Sequence, residues 1–109
     1  MSNRKRLATV AALIIAVVAL PALADAGADG AALYKSKCAM CHGPDGSGQT
    51  PMGKSLKLRD LRSADVQKLT DKELVTVISD GKGKMPAYKA KMSQAEIDAV
   101  VSFIRSLKK

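Results

Sequence analysis

The chain has 109 residues, with 18 Lys and Arg against 10 Asp and Glu, one His, two Cys, two Tyr, one Phe and no Trp. A single domain of this size buries only ~60–65% of its unfolded surface, and a chain so poor in large apolar groups needs a staple beyond its own core. No Ser/His/Asp group or pair of carboxylates suggests catalysis, and the basic surplus lacks the interleaved aromatics of a nucleic-acid surface, so nucleic-acid binding is excluded.

The N-terminus reads as a secretory signal. Arg4, Lys5 and Arg6 form a basic head, Leu7 to Leu20 is uncharged and mostly aliphatic, and Pro21 precedes an Ala22-Leu23-Ala24 cleavage pattern. The apolar run is short for a membrane span, which takes ~20 residues. The expected organisation is a signal over 1–24 and one exported domain over 25–109, periplasmic and without stable membrane insertion after cleavage. An uncleaved anchor is the alternative.

A helix is predicted from Asp25 to Lys37, with Asp29 as N-cap or first-turn acid. Gly30 is costly inside a helix, unless another helix crosses closely there. Gly30 and Tyr34 share a face at i, i+4. The helix runs into Cys38-Ala39-Met40-Cys41-His42, which holds every Cys and His of the chain.

C-x-x-C-H is the attachment pattern of a c-type haem. Two thiols one helical turn apart can each add to a haem vinyl group, and the adjacent imidazole is placed to bind the iron. A Cys38–Cys41 disulfide, a thioredoxin-like redox pair and a zinc site are the competing readings. The redox pair lacks a βαβ context, and the zinc site lacks a second Cys/His pair. One covalent haem c would also be the staple that the small core needs.

Gly43 to Gly53 is predicted as a loop, broken by glycines and prolines. A ligating histidine donates its second ring nitrogen to a carbonyl, and Pro51 is the candidate for that carbonyl. Ser63 to Lys68 is predicted as a short helix. Thr70-Asp71-Lys72-Glu73 reads as a capping box opening a helix that stops at Gly81. Gly81 to Met92 is a second loop. Ser93-Gln94-Ala95-Glu96 is another capping box, with Met92 and Ile97 as a hydrophobic staple. Ile97, Val100, Val101, Ile104 and Leu107 mark an amphipathic last helix to about Lys108. No strand pattern alternates anywhere. The domain is all-α, three main helices plus a short one.

With one histidine, the second iron ligand falls to a methionine. Met1 leaves with the signal, Met40 lies inside the C-x-x-C, Met52 follows Pro51 on the proximal side, and Met92 is explained by the staple. Met85 remains, in a loop and followed by Pro86.

The stretch 25–109 resembles the small class I bacterial cytochromes c, of the c6, c-551 and c-553 kind. The resemblance rests on Gly30 and Tyr34, Cys38-Ala-Met-Cys41-His42-Gly43, Met85-Pro86-Ala87-Tyr88 and the Val-Val-Ser-Phe103-Ile-Arg-Ser-Leu helix. It implies the cytochrome c fold with crossing terminal helices, Gly30 and Tyr34 meeting the Phe103 face, haem on Cys38, Cys41 and His42, and Met85 as distal ligand.

The expected function is one-electron transfer by a soluble monomer, with no enzymatic turnover. The alternatives are an open-site haem sensor or enzyme component, or a haem-bearing subunit of a larger exported oxidoreductase. Without the three basic residues of the signal, 15 Lys and Arg face ten acids. Lys82, Lys84, Lys89 and Lys91 flank Met85, which suits redox partners with acidic docking faces.

Overall fold

The computed structural model describes residues 11–17 and 27–109. Of the expected signal, only residues 11–17 fall within that range, exposed and without regular structure. The basic head, the cleavage pattern and the first residues of the expected domain lie outside it. Among the described residues no helix is long and apolar enough to cross a membrane.

The domain is helical: α1 (Gly30–Lys37), α2 (Ala39–His42), α3 (Pro51–Leu56), α4 (Ala64–Gln67), α5 (Asp71–Asp80) and α6 (Gln94–Ser106). Each start follows from its cap. The Asp29 carboxylate accepts from the Ala32 amide, and the Ser63, Thr70 and Ser93 hydroxyls accept from the amides three residues on. Ser93 and Glu96 form the full capping box, with Met92 and Ile97 both buried beside it. At Thr70 only half the box forms, because Glu73 donates its amide but its carboxylate does not reach back.

The three main helices are α1, α5 and α6, as the sequence predicts, although the first begins at Gly30 behind the Asp29 cap and not at Asp25, with 27–29 outside it. Two short helices, α2 and α3, join the expected one at α4. The predicted loop over 43–53 therefore ends early: Thr50 caps α3 and Pro51 occupies its first turn. Proline there sacrifices an N–H that has no helical partner anyway. The last helix stops at Ser106, slightly before Lys108.

α1 crosses α6 at the core. Val100 is 0% exposed and Tyr34 1%. A Cβ on Gly30 would lie 2.1 Å from the Ala99 carbonyl oxygen, so only glycine lets the backbones approach this closely. Tyr34 meets Phe103, ring centroids 4.9 Å apart, while Gly30 meets the Ala99 backbone rather than the Phe103 face. Leu74 and Ile78 of α5 and Val66 of α4 close the same core.

Between α3 and α5 the chain is tied down by side chains rather than by helix packing. Gln67 donates to the Leu61 and Ile104 carbonyls, and Arg105 donates to those of Gln67 and Leu69 and to the Asp71 carboxylate. Buried carbonyls outside a helix need such donors. These bonds hold the stretch against α6.

Candidate functional site

Cys38 is the joint between α1 and α2, and Gly43, at φ 83, ends α2. The Cys41 and His42 amides both donate to the Cys38 carbonyl, at 3.2 and 2.9 Å. Both thiols and the imidazole are thus carried on one turn. The cysteines are free and partly buried, and burial pushes the Cys38 thiol up to about 11 against the opposing pull of Lys37. Burial also lowers the pKa of His42, which favours the neutral imidazole that a metal ion requires.

The turn is clamped from several directions. The Tyr34 hydroxyl donates to the Gly43 carbonyl at 2.7 Å, and the Tyr88 hydroxyl donates to the Lys37 carbonyl at 3.0 Å. Thr50 Oγ1 donates to the Cys41 carbonyl at 2.7 Å while accepting from the Gly53 amide at 2.8 Å. The Gly48 amide donates to the His42 carbonyl at 2.7 Å. A Cβ on Gly53 would come within 2.2 Å of the Gly48 carbonyl oxygen and 2.6 Å of that of Cys41, so α3 can lie against the motif only through a glycine.

The predicted bond from His42 to the Pro51 carbonyl is not among the described hydrogen bonds. His42 Nδ1 is buried with no hydrogen-bond partner. Pro51 is the first residue of α3. The dipeptide Thr50-Pro51 is a helix-start signal, and it opens α3.

A cavity of about 440 Å³ opens beside the motif, lined by Cys38, Cys41, His42, Met85, Pro86 and Tyr88 among others. A second space of about 180 Å³ shares Cys38, His42, Leu58, Lys82 and Met85 with it and runs inward to Val66, Ile78, Val100 and Ile104. The cleft has the size and the aliphatic lining of a cofactor site. Cys38, Cys41, His42 and Met85, more than forty residues apart in the chain, are therefore brought to one space. Among the described residues, Met85 is the only methionine lining it. Met40 is 81% exposed, Met52 46%, and Met92 is in the core. The donor set fits a haem c, with two thiols, a neutral imidazole and a thioether around an apolar slot. Sequence reasoning missed Thr50, Gly53, Leu58 and the Tyr88 hydroxyl.

Comparison with known proteins agrees. A family model described as cytochrome c oxidase, cbb3-type, subunit III, matches residues 25–104. The cytochrome c6 of Leptolyngbya boryana is 36% identical over 81 residues, covering 74% of this chain and 91% of its own. This chain belongs to the small class I c-type cytochromes. The cytochrome c6 of Microcystis aeruginosa is 33% identical over 76 residues, 70% of this chain and 90% of its own. Among solved structures, the KustC0563 c-type cytochrome superposes with a TM-score of 0.70 at 35% identity, covering 74% of this chain and 99% of that one. Cytochrome c6C from Synechococcus sp. PCC 7002 gives 0.56 at 26% identity, covering 71% and 90%. The cytochrome c fold and a single covalent haem c follow, with Cys38 and Cys41 as a pair consistent with its attachment. The cytochrome is an electron carrier, not an enzyme.

Proposed function

We propose that this cytochrome is a soluble, exported monomer that carries one electron at a time, its haem joined by thioethers to Cys38 and Cys41 and ligated axially by His42 and Met85. One observation carries the reading: among the described residues, Met85 is the only methionine lining the cavity that Cys38 and His42 also line. Bound there, the haem supplies a ferric/ferrous couple. The protein's part is to fix both ligands and keep the iron closed. His42 rides on a turn held by Tyr34, Thr50 and Gly48. Pro86 restricts Met85 to extended backbone, and a thioether ligand raises the reduction potential above that of a bis-histidine haem. Leu58, Val66, Ile78 and Ile104 exclude water from the inner wall.

Met85→Ala should abolish the weak far-red sulfur-to-iron band of the ferric protein, lower the potential and open the ferrous iron to carbon monoxide. Met52→Leu should do none of these. A band that survives Met85→Ala, or ready carbon monoxide binding by the wild type, would sink the ligand assignment and favour the open-site reading.

Lys37, Lys57, Lys82 and Lys84 line the cavity and no Asp or Glu does. None of the four is ion-paired among the described residues. Unneutralised cations around the site where the electron leaves favour an acidic partner. Electron-transfer rates with such a partner should fall as ionic strength rises. A flat or rising profile would indicate an apolar docking face. Export with cleavage after Ala24 predicts a mature N-terminus at Asp25, readable by intact mass. The description of the matching family model favours a second reading, a haem-bearing subunit of a larger oxidoreductase. Purification as a free monomer would count against it.

A further inference from the structure

The Met85 loop is attached to the rest of the protein at very few points. Gly81, at φ 77, turns the chain away from α5. Lys82 and Met85 then exchange both backbone hydrogen bonds, Lys82 amide to Met85 carbonyl at 3.2 Å and Met85 amide to Lys82 carbonyl at 3.0 Å. Gly83, at φ 57, takes the first corner of this tight turn. Among the described hydrogen bonds, residues 82–87 bond only to one another in this way. The next tie is Tyr88, whose amide donates to the Ile78 carbonyl at 3.0 Å. The Tyr88 amide, with the Lys89 amide bonded to the Ser79 carbonyl at 3.1 Å, ties the end of the loop to α5. A single side-chain hydrogen bond, from the Tyr88 hydroxyl to the Lys37 carbonyl, crosses to the half of the molecule that holds the motif.

That acceptor is a special one. Lys37 is the last residue of α1, and carbonyls at a helix end have no partner within the helix. The Cys41 amide, which could have continued the ladder, donates to Cys38 instead. The Tyr88 hydroxyl fills this vacancy, immediately before Cys38. The Tyr88 ring lines the cavity beside Met85, Pro86 and Cys38, with Lys91 Nζ 5.8 Å from its centroid. We infer that Tyr88 is a positioning residue: its hydroxyl latches the Met85 loop to the end of α1 and so sets how readily Met85 leaves the site. This rests on the reading of Met85 as an iron ligand.

Tyr88→Phe keeps the ring as a cavity wall and removes only the latch. The Lys37 carbonyl is exposed and can turn to water, so the fold should survive. In the ferric holoprotein, an added ligand such as imidazole binds only when Met85 has moved away. Its apparent affinity should rise about two- to tenfold in Tyr88→Phe, the factor worth one ordinary hydrogen bond. Tyr34→Phe removes the other tyrosine hydroxyl clamp but leaves the loop untouched, and should not raise that affinity even though it loosens the core. Hydrogen exchange of the Lys82 and Met85 amides in the Tyr88→Phe holoprotein gives a readout that needs no ligand assignment, and both should exchange faster than in the wild type. An unchanged imidazole affinity with unchanged exchange, or an equal gain in Tyr34→Phe, would overturn the latch. If instead Met85→Ala keeps the far-red band, the ligand reading fails by itself, and exchange alone decides whether Tyr88 latches the loop.

Discussion

The two walls of the haem cavity are held by different means. On the His42 side, residues 43–53 are threaded with bonds: Gly46 to Gly43, Gly48 to His42, Thr50 to Cys41, and Ser47 through both its amide and its hydroxyl to Asp45. Gly43, Gly46, Ser47, Gly48 and Gly53 are all buried. On the Met85 side, residues 82–87 are exposed apart from Met85 itself and rely on one turn and one tyrosine. Few buried contacts and solvent-exposed backbone bonds mark a segment that opens at low cost. One wall is a rigid cradle and the other a loop that can be moved. Under the proposed ligation, this construction would give the iron one fixed and one releasable ligand.

The same substitution on each wall should separate them most widely. At Gly53 a methyl group would press on the Gly48 and Cys41 carbonyls, both backbone, within 2.6 Å. Nothing there can yield without shifting the motif. Gly53→Ala should cost ~3 kcal/mol or more, the upper part of the overpacking range, and should lower the yield of holoprotein. At Gly83 nothing lies within 4 Å, and only its φ of 57 opposes a side chain. Gly83→Ala should cost ~1–2 kcal/mol of left-handed strain, felt by the Met85 turn more than by the fold. Urea unfolding of the two holoproteins, read beside the far-red band, makes the comparison. Equal losses of global stability would show that the walls do not differ as described.

Gly30→Ala tests the scaffold behind the rigid wall. The added methyl would sit 2.1 Å from the Ala99 oxygen and 2.6 Å from its carbonyl carbon. Alanine's helix propensity gains at most ~1 kcal/mol, which overpacking at ~1–3 kcal/mol outweighs. A lower melting temperature with an unchanged ligand spectrum is expected. A rise in melting temperature would mean that α1 and α6 do not cross this closely.

Much of this architecture was legible in the sequence for identifiable reasons. Gly30 announced a crossing because glycine in a helix otherwise loses stability. Ser93 and Glu96 announced α6 because the capping box is local, needing four residues and no tertiary context. Met85 was singled out because a chain with one histidine leaves few donors, and it lines the cavity beside His42. What stayed hidden depended on long-range geometry. The bond from Tyr88 to Lys37 spans 51 positions, and no periodicity encodes it. The short α3 was obscured by the glycines and prolines around it, so Pro51 looked like a loop residue with a free carbonyl. The identity of the helix meeting Gly30 was correct, but the contact fell on Ala99 rather than Phe103, one turn away.

The smallest expected effect concerns what braces the rigid wall from outside. The Leu61 amide donates to the Gly46 carbonyl at 2.8 Å, and Asp60 next to it gathers the surrounding cations. Its carboxylate accepts from Arg62 Nε and Nη2, each at 3.0 Å, and from the Arg62 amide at 2.9 Å, with Lys109 Nζ at 3.7 Å. The Arg62 bonds hold its pKa down, to about 2, against ~3.9 in an unfolded chain. A group whose pKa is lower in the folded state contributes stability above its unfolded pKa and loses it as pH falls toward the folded one. Asp60 should therefore stabilise the wall fully above about pH 4 and cease to do so by about pH 2. Asp60→Asn cannot titrate. Wild type should be more stable than the variant at neutral pH, and the gap should close between about pH 4 and pH 2 in acid titrations of the holoprotein. The difference should be smaller than for either buried glycine, because the pair is partly solvated and such pairs contribute little. A gap that stays constant through that window would mean that the aspartate acts by shape alone, and that the rigid wall takes nothing from this charge cluster.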